Sequence, residues 1–381
     1  MKSFDFRTHG RIGREGRLGE MLTPHGTVAT PVFMPVGTKA SVKSLSPADL
    51  SSVGAQIILG NTYHLHLRPG ENIVEEFGGL HKFMGWNGAI LTDSGGFQVS
   101  SLGKQNQNTG EVKDDLALSR VTNEGVEFKS HIDGSKHFFT PEKSIEIQES
   151  LGADIIMAFD ECTPNTDEDY SRMAMERTHQ WLVRSKRRWL DLEKEKATNG
   201  KPLQALFGII QGGKNKKLRR ESAKFIVEQD LPGIAFGGEA IGSDPGETAQ
   251  TISWVLDILP LEKPRYAMGV GVRPSDLISV VEAGADMFDC VAPTRLARCG
   301  LLYHPEELSE RIDINKSKFV HDKNVIWETC DCYTCTEGFT RGYLHHLLRS
   351  KELLYYRLAS IHNLRIMIRT IERLRSGSGL L

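Results

Sequence analysis

Residues 205–213 read ALFGIIQGG, and this stretch decides the fold. Side chains alternate along a strand, so a strand with one wet face shows a polar residue at every second position; this run shows none before Gln211. Apolar on both faces and stopped by Gln211, Gly212 and Gly213, it reads as a parallel strand buried on both sides that enters a glycine-rich corner. Seven more short runs end in a polar or glycine-rich corner, and most are likewise apolar throughout: PVFMPVG from Pro31, QIILGNTY from Gln56, AILTDSGG from Ala89, DIIMAFDE from Asp154, GIAFGGEA from Gly233, RYAMGVG from Arg265 and DMFDCVAPT from Asp286.

Helical segments lie between them, with start signals at Ser46-Pro47, Thr140-Pro141 and Arg273-Pro274. Proline suits the first turn of a helix because its missing N–H would have no partner there. Eight strand and helix alternations predict an α/β protein of the (β/α)8 TIM-barrel class; an open doubly wound sheet is the alternative. Two intervals exceed a simple crossover. Residues 97–153 contain VEFKSHI, Asp133-Gly134 and SKHFF, which predict a hairpin near 126–139 with a type I′ turn, preceded by a polar loop, GKQNQNTGEVKDD, at 103–115. Residues 161–203 predict a charged helix through Trp181 and Trp189 that ends near Asn199-Gly200.

The expected organisation is a barrel with an N-terminal β segment over 1–298, a metal-binding subdomain over 299–362, and a C-terminal helix over 363–381 that packs on the barrel. Leu364, Met367, Ile368, Ile371 and Leu374 give that helix its apolar face, while Arg365, Arg369 and Arg373 line another.

The 381 residues carry a net charge of -2, with 39 % hydrophobic and 25 % charged residues. Such a composition excludes a disordered or fibrous chain and gives no general attraction to polyanions. The charge is unevenly spread: residues 295–381 hold 14 Lys and Arg against 10 Asp and Glu, a net of +4, which leaves -6 for residues 1–294. No stretch of about 18 apolar residues occurs and the opening MKSFDFRTHG has no apolar signal core, so no membrane partner and a cytoplasmic location are expected.

Cys330, Cys332 and Cys335 have C-x-C-x2-C spacing, a soft ligand set suited to zinc. His345, His346 and His362 are all available as a fourth ligand, and a site closed by four protein ligands is structural. The second group is acidic. Asp93, Asp160 with Glu161, and Asp289 stand at or near the C-terminal ends of the third, fourth and eighth runs, where a barrel keeps its active site. A carboxylate in an apolar strand costs several kcal/mol unless paired or used; an ion pair to a barrel arginine is the structural alternative. Cys162 and Cys290, beside these acids, have no identifiable histidine partner and read as small buried hydrophobes. The basic runs at 184–188 and 214–220 read as solvated helix faces. No G-x-G-x-x-G follows a strand, so nicotinamide and flavin chemistry is set aside.

Together, TDSGGFQV from Thr92, MAFDECTP from Met157, MGVG from Met268, MFDCVAPTR from Met287, CDCYTC from Cys330 and YLHHL from Tyr343 resemble tRNA-guanine transglycosylases of the bacterial type, in order, from about Val28 to about Asn363. The resemblance implies an enzyme that exchanges guanine at wobble position 34 of tRNAs with GUN anticodons for 7-aminomethyl-7-deazaguanine (preQ1), or for queuine, through a covalent glycosyl-aspartate. It implies Asp289 as nucleophile and Asp93 as general acid and base. Asp160, Gln211 and Gly238 would read the base, with Ser94, Gly95, Phe97, Asn61, Met268, Cys162 and Glu239 as further pocket positions. Arg295 and Arg298 would hold tRNA; Cys330, Cys332, Cys335 and His362 would hold one structural zinc ion per subunit; and a homodimer is implied. Three departures stand out: Glu239 where leucine is usual, Phe97 where tyrosine is common, and the insertion-like 103–115. Two other classes compete, a non-catalytic tRNA-binding subunit and a zinc-dependent barrel hydrolase.

Overall fold

The computed structural model describes residues 4–101, 119–162, 167–199, 202–238, 241–242 and 244–377. The 103–115 segment and Glu239 lie outside the described residues. All eight apolar runs are strands of one closed parallel barrel: Val32–Gly37, Ile57–Gly60, Ala89–Thr92, Ile155–Met157, Ala205–Ile210, Gly233–Phe236, Arg265–Ala267 and Met287–Cys290. Each pairs with the next, and the eighth closes on the first with Asp289 opposite Met34. Closure removes both sheet edges and leaves every strand covered by helices outside and side chains inside.

Alternation along each strand sorts the core. Val32, Met34, Ile57, Leu59, Ala89, Leu91, Phe207, Ile209, Tyr266 and Met287 fill the interior, whereas Phe33, Ile58, Ile90, Leu206, Ile210 and Phe288 pack outward on the helices. The helix starts follow the sequence signals. Ser46, Thr140 and Arg273 cap helices Pro47–Ser52, Pro141–Leu151 and Pro274–Glu282, with the proline in the first turn each time. The charged helix spans Glu168–Asn199.

Two expectations are corrected. The inserted sheet has three strands, Ser119–Val121, Val126–Lys129 and Lys136–Phe139, and its last register pair is Lys129 with Lys136, so the connection is the longer loop 130–135. A type I′ turn needs positive φ at both central residues, but only Gly134 has it; the Asp133 carboxylate instead accepts from the Ser135 N–H at 3.1 Å and its hydroxyl at 2.7 Å, an Asx-type turn. The C-terminal helix runs Leu353–Ser376 and not from 363, because Tyr355, Leu358, Ala359 and Ile361 continue its buried face. It packs on the first strand and on helices Pro274–Glu282 and Ala292–Arg298, which completes the ring.

Below the barrel, strands Asp5–Ile12, Gly16–Thr23 and Gly26–Thr30 form an antiparallel sheet that pushes Phe6, Met21 and Val28 into the interior cluster as a floor. Two polar clasps hold it. Arg17 pairs with Asp286 in the core and also donates to the carbonyls of Leu261 at 2.8 Å and Lys263 at 3.0 Å. His25 and His81 sit on the two oxygens of Asp154, at 2.7 and 3.2 Å. These three side chains lie close enough to suggest a metal site, but the imidazoles are stacked face to face at 3.4 Å, so their in-plane lone pairs run side by side and do not converge. The cluster is a clasp.

Asp286 is fully buried and Arg17 is 6 % exposed, so Asp286→Asn leaves a guanidinium without its counter-charge. The expected loss is about 3–5 kcal/mol, seen as a lower urea midpoint at unchanged slope.

Candidate active site

The interior pattern continues past the strand ends. Stepping by two from Leu59, Leu91, Ile209 and Met287 gives Asn61, Asp93, Gln211 and Asp289, so four polar side chains occupy the next inward positions at the C-terminal mouth. Asp93 follows the third strand and accepts from the Thr62 N–H at 2.8 Å, the Gly95 N–H at 3.2 Å and the Asn61 amide. Asn61 also caps helix Thr62–Leu67 through the His64 N–H at 3.0 Å, which fixes the orientation of the amide that faces Asp93.

Asp160 is 6 % exposed; one oxygen accepts from Ser94 Oγ at 2.9 Å and the other from Gln211 Nε2 at 2.8 Å. A carboxylate oxygen accepts two hydrogen bonds, so each keeps a free lone pair for a ligand. Gly96 makes this approach possible: a Cβ there would meet the Asp160 carbonyl at 2.2 Å. Asp289 accepts from Tyr266 Oη at 2.6 Å and from the Gly269 N–H at 2.8 Å. Gly95, Gly238 and half-buried Met268 border the same mouth.

Burial raises all three acids. Asp93 is pushed up to about 7, mainly by desolvation, with the charges of Asp289 and Asp160 adding and its backbone donors opposing. Asp160 is pushed up to about 6 by desolvation, against the donors Ser94 and Gln211. Asp289 is raised by burial and held down by Tyr266 and Gly269. The Tyr266 phenol is itself raised well above its usual range by burial and by Asp289, so it stays protonated and donates. Such a set suits proton transfer near neutrality beside a second carboxylate able to act as a nucleophile.

Glu161 separates from this group. It is buried against Arg177 and Tyr170 and is a structural ion pair, as the alternative reading of these acids allows. Cys162 is buried near Arg219. Phe97 is 57 % exposed and stands out from the pocket wall. Arg295 is exposed and Arg298 half-buried on helix Ala292–Arg298, which leaves the eighth strand. Sequence reasoning missed Tyr266 and Thr62. Tyr266 could have been found, since it precedes Met268 by two on the same inward period; the Thr62 amide carries no signal in its side chain.

Cys330, Cys332, Cys335 and His362 converge in the other predicted cluster, all buried. His362 Nδ1 lies 3.6, 3.5 and 3.5 Å from the three sulfurs, and its Nε2 faces the Tyr303 carbonyl at 2.8 Å. That carbonyl accepts a hydrogen bond from Nε2–H, which leaves the Nδ1 lone pair free to ligate a metal. With metal bonds of about 2.3 Å to sulfur and about 2.0 Å to nitrogen, tetrahedral angles set nitrogen and sulfur about 3.5 Å apart, so the group fits a zinc ion. His345 instead faces the Ile314 carbonyl at 2.7 Å.

The family model described as Queuine tRNA-ribosyltransferase matches residues 13–377. The chain is 52 % identical over 378 residues to the queuine tRNA-ribosyltransferase of Herpetosiphon aurantiacus, covering 99 % of this chain and 89 % of that protein. It is 51 % identical over 364 residues to the protein of the same name from Caldanaerobacter subterraneus subsp. tengcongensis, with 95 % and 90 % covered. For that of Thermoanaerobacter pseudethanolicus the identity is 49 % over 362 residues, with 95 % and 89 % covered.

Metal analysis of the purified protein is expected to give about one ion per chain, and Cys332→Ser to lose it together with the cooperative unfolding transition. A metal that leaves while the unfolding curve stays in place would contradict a structural role.

Proposed function

The chain belongs to the queuine tRNA-ribosyltransferase family, and from that premise and the geometry of the mouth we propose that it exchanges guanine at wobble position 34 of GUN-anticodon tRNAs for preQ1, with Asp289 as the nucleophile. The observation that carries this reading is the trio Asp93, Asp160 and Asp289 at one end of the barrel, supported by neutral donors. Queuine is the alternative incoming base. The target nucleotide is turned out of the anticodon loop, which is easier in a single strand than in a duplex.

Cleavage of the C1′–N9 bond builds positive charge on the ribose, and ionised Asp289 captures C1′ as a glycosyl ester. Tyr266 and the Gly269 amide keep Asp289 charged and aimed. Asp93, protonated below about 7, gives its proton to the departing guanine and takes one from the incoming base, whose N9 then attacks C1′ and frees Asp289. Asp160 accepts from N1–H and the 2-amino group of the base, and Gln211 and the Gly238 backbone complete that edge. Phe97, Met268, Ser94, Gly95, Asn61, Cys162 and Glu239 are assigned to the pocket; the exposure of Phe97 fits a ring that covers a base arriving from solvent. Arg295 and Arg298 hold tRNA phosphates beside the nucleophile. Cys330, Cys332, Cys335 and His362 hold one structural zinc ion. The protein acts as a cytoplasmic homodimer; no helix among the described residues is long and apolar enough to cross a membrane.

Exchange of labelled guanine into tRNA tests the assignment: Asp289→Asn should abolish both exchange and the trapped covalent complex, and full activity would refute it. Because Asp93 acts as an acid while protonated, kcat/KM should fall about tenfold per pH unit above about 7 in the wild type. Tyr266→Phe removes a hydrogen bond to a charged group, for which a loss of about 10–100-fold in rate at neutral pH is expected, with the acidic limb moved to higher pH. Competition among guanine, preQ1 and queuine, run with wild type and Glu239→Leu, identifies the incoming base; preferential incorporation of queuine by the wild type would favour the alternative.

A further inference from the structure

Arg219 is placed where an arginine is least comfortable. It is fully buried in the first turn of helix Lys216–Glu228, at the positive end of the helix dipole, and no carboxylate lies within 4 Å among the described residues. Its neighbours in the same basic run behave ordinarily, with Lys214 paired to Glu247 and Arg220 to Asp257 at the surface. Burial brings the guanidinium down to about 10, against a smaller opposing effect of Cys162.

The compensation lies in two backbone contacts. Nε donates to the Gly213 carbonyl at 2.8 Å and Nη1 to the Ile210 carbonyl at 2.9 Å, while Nη2 has no hydrogen-bond partner among the described residues. These carbonyls flank Gln211, whose Nε2 reaches Asp160 at 2.8 Å and whose N–H meets Ser222 Oγ at 3.1 Å. The Ile210 carbonyl also accepts from Gly237 N at 3.1 Å, at the start of the turn that carries Gly238. Gly212 lets the loop press onto the helix: its φ is +122° and a Cβ would stand 2.9 Å from the backbone nitrogen of Arg219. A planar guanidinium spans both carbonyls as a rigid brace, which a flexible ammonium does not.

We propose that Arg219 is a positioning residue for base specificity: by bracing the backbone on either side of Gln211 it holds the Gln211 amide on Asp160 and fixes the Gly237–Gly238 turn beside it. The inference rests on the base-exchange reading, in which Asp160, Gln211 and Gly238 form the recognition edge. Arg219 touches none of the reacting atoms, so its loss acts on binding of the incoming base and leaves the chemical step alone.

The test is a double-mutant cycle between Arg219→Met and Gln211→Ala, read as KM for the incoming base, KM for tRNA and kcat, with a melting curve on each variant. Arg219→Met is expected to raise KM for the base about tenfold, with kcat within about threefold and a smaller rise in KM for tRNA, which is also held through its phosphates; in the Gln211→Ala background it should add less than about twofold. Arg219→Lys, which keeps the charge and loses the fork, should fall between and carries the same cycle if the methionine variant does not fold. A folded variant with wild-type KM for the base, or effects that multiply in the double mutant, overturns the proposal. Absence of guanine exchange by the wild type would overturn the base-exchange reading, and this proposal with it, so the two failures are distinguishable.

Discussion

The cost of crowding three carboxylates into one desolvated mouth is the constraint around which this molecule is arranged. Asp93, Asp160 and Asp289 share one low-dielectric mouth; burial pushes Asp93 up to about 7, and the charges of the latter two add to it. An arginine among them would relieve the repulsion and abolish the reactivity, because a tightly paired carboxylate is a poor base and a poor nucleophile. The surrounding donors are instead uncharged: the Thr62, Gly95 and Gly269 amides, the Asn61 and Gln211 side chains, and the Ser94 and Tyr266 hydroxyls. They set distinct environments for the three acids without cancelling any charge. Nearby cations are directed elsewhere, Arg177 onto Glu161 and Arg219 onto backbone carbonyls.

The barrel was legible because its signal is redundant. Eight short runs, most of them apolar on both faces, admit few arrangements, and a two-residue error at an end changes none of them. The mouth acids were legible for a related reason: a carboxylate in such a run must be paired or used, and Asp93, Asp160 and Asp289 stand together at one end, whereas Glu161 and Asp286 are paired with arginines. Legibility fell where one sequence pattern serves two local structures. Asp133-Gly134 supports a tight hairpin or an Asx turn, and the choice is made by the partner strand, which pairs as far as Lys136 and no further. The basic run at 214–220 failed more instructively. Lys214 and Arg220 do lie on a solvated face, but Arg219 turns inward on the same helix, and nothing in its type distinguishes it from them. The run at 184–188 kept its bland reading, since Arg184 and Arg188 pair with Glu142 and Glu146 across two helices.

The metal site gains its importance from where His362 sits. Placed mid-way along helix Leu353–Ser376, His362 belongs to an element that packs on the first barrel strand, so an ion held by the four side chains would tie the cysteine loop directly to the barrel wall. The next residue extends the tie. Asn363 accepts from the Tyr303 N–H at 2.9 Å and donates to the carbonyls of Pro293 and Leu301, both at 3.0 Å, which joins strand Leu301–Tyr303 to the segment that leaves Asp289. An ion held there would thus brace, from a distance, the chain that follows Asp289.

The same helix changes the meaning of the charge imbalance. A net of +4 in residues 295–381 suggests a phosphate-binding face, and Arg365, Arg369 and Arg373 have the spacing for one. Yet Arg365 is paired with Asp331 and Glu372, Arg369 donates to the Thr329 carbonyl, Arg357 pairs with Asp49, and Arg375 donates to the Pro31 carbonyl at 2.8 Å. These arginines fasten the metal subdomain and the helix to the barrel. A polyanion that displaced them would have to break buried or bidentate contacts, whereas Arg295 stands exposed on the helix that leaves the eighth strand. In the proposed reading, the positive charge available to RNA is therefore set by position beside Asp289, whereas Arg357, Arg365, Arg369 and Arg375 are structural.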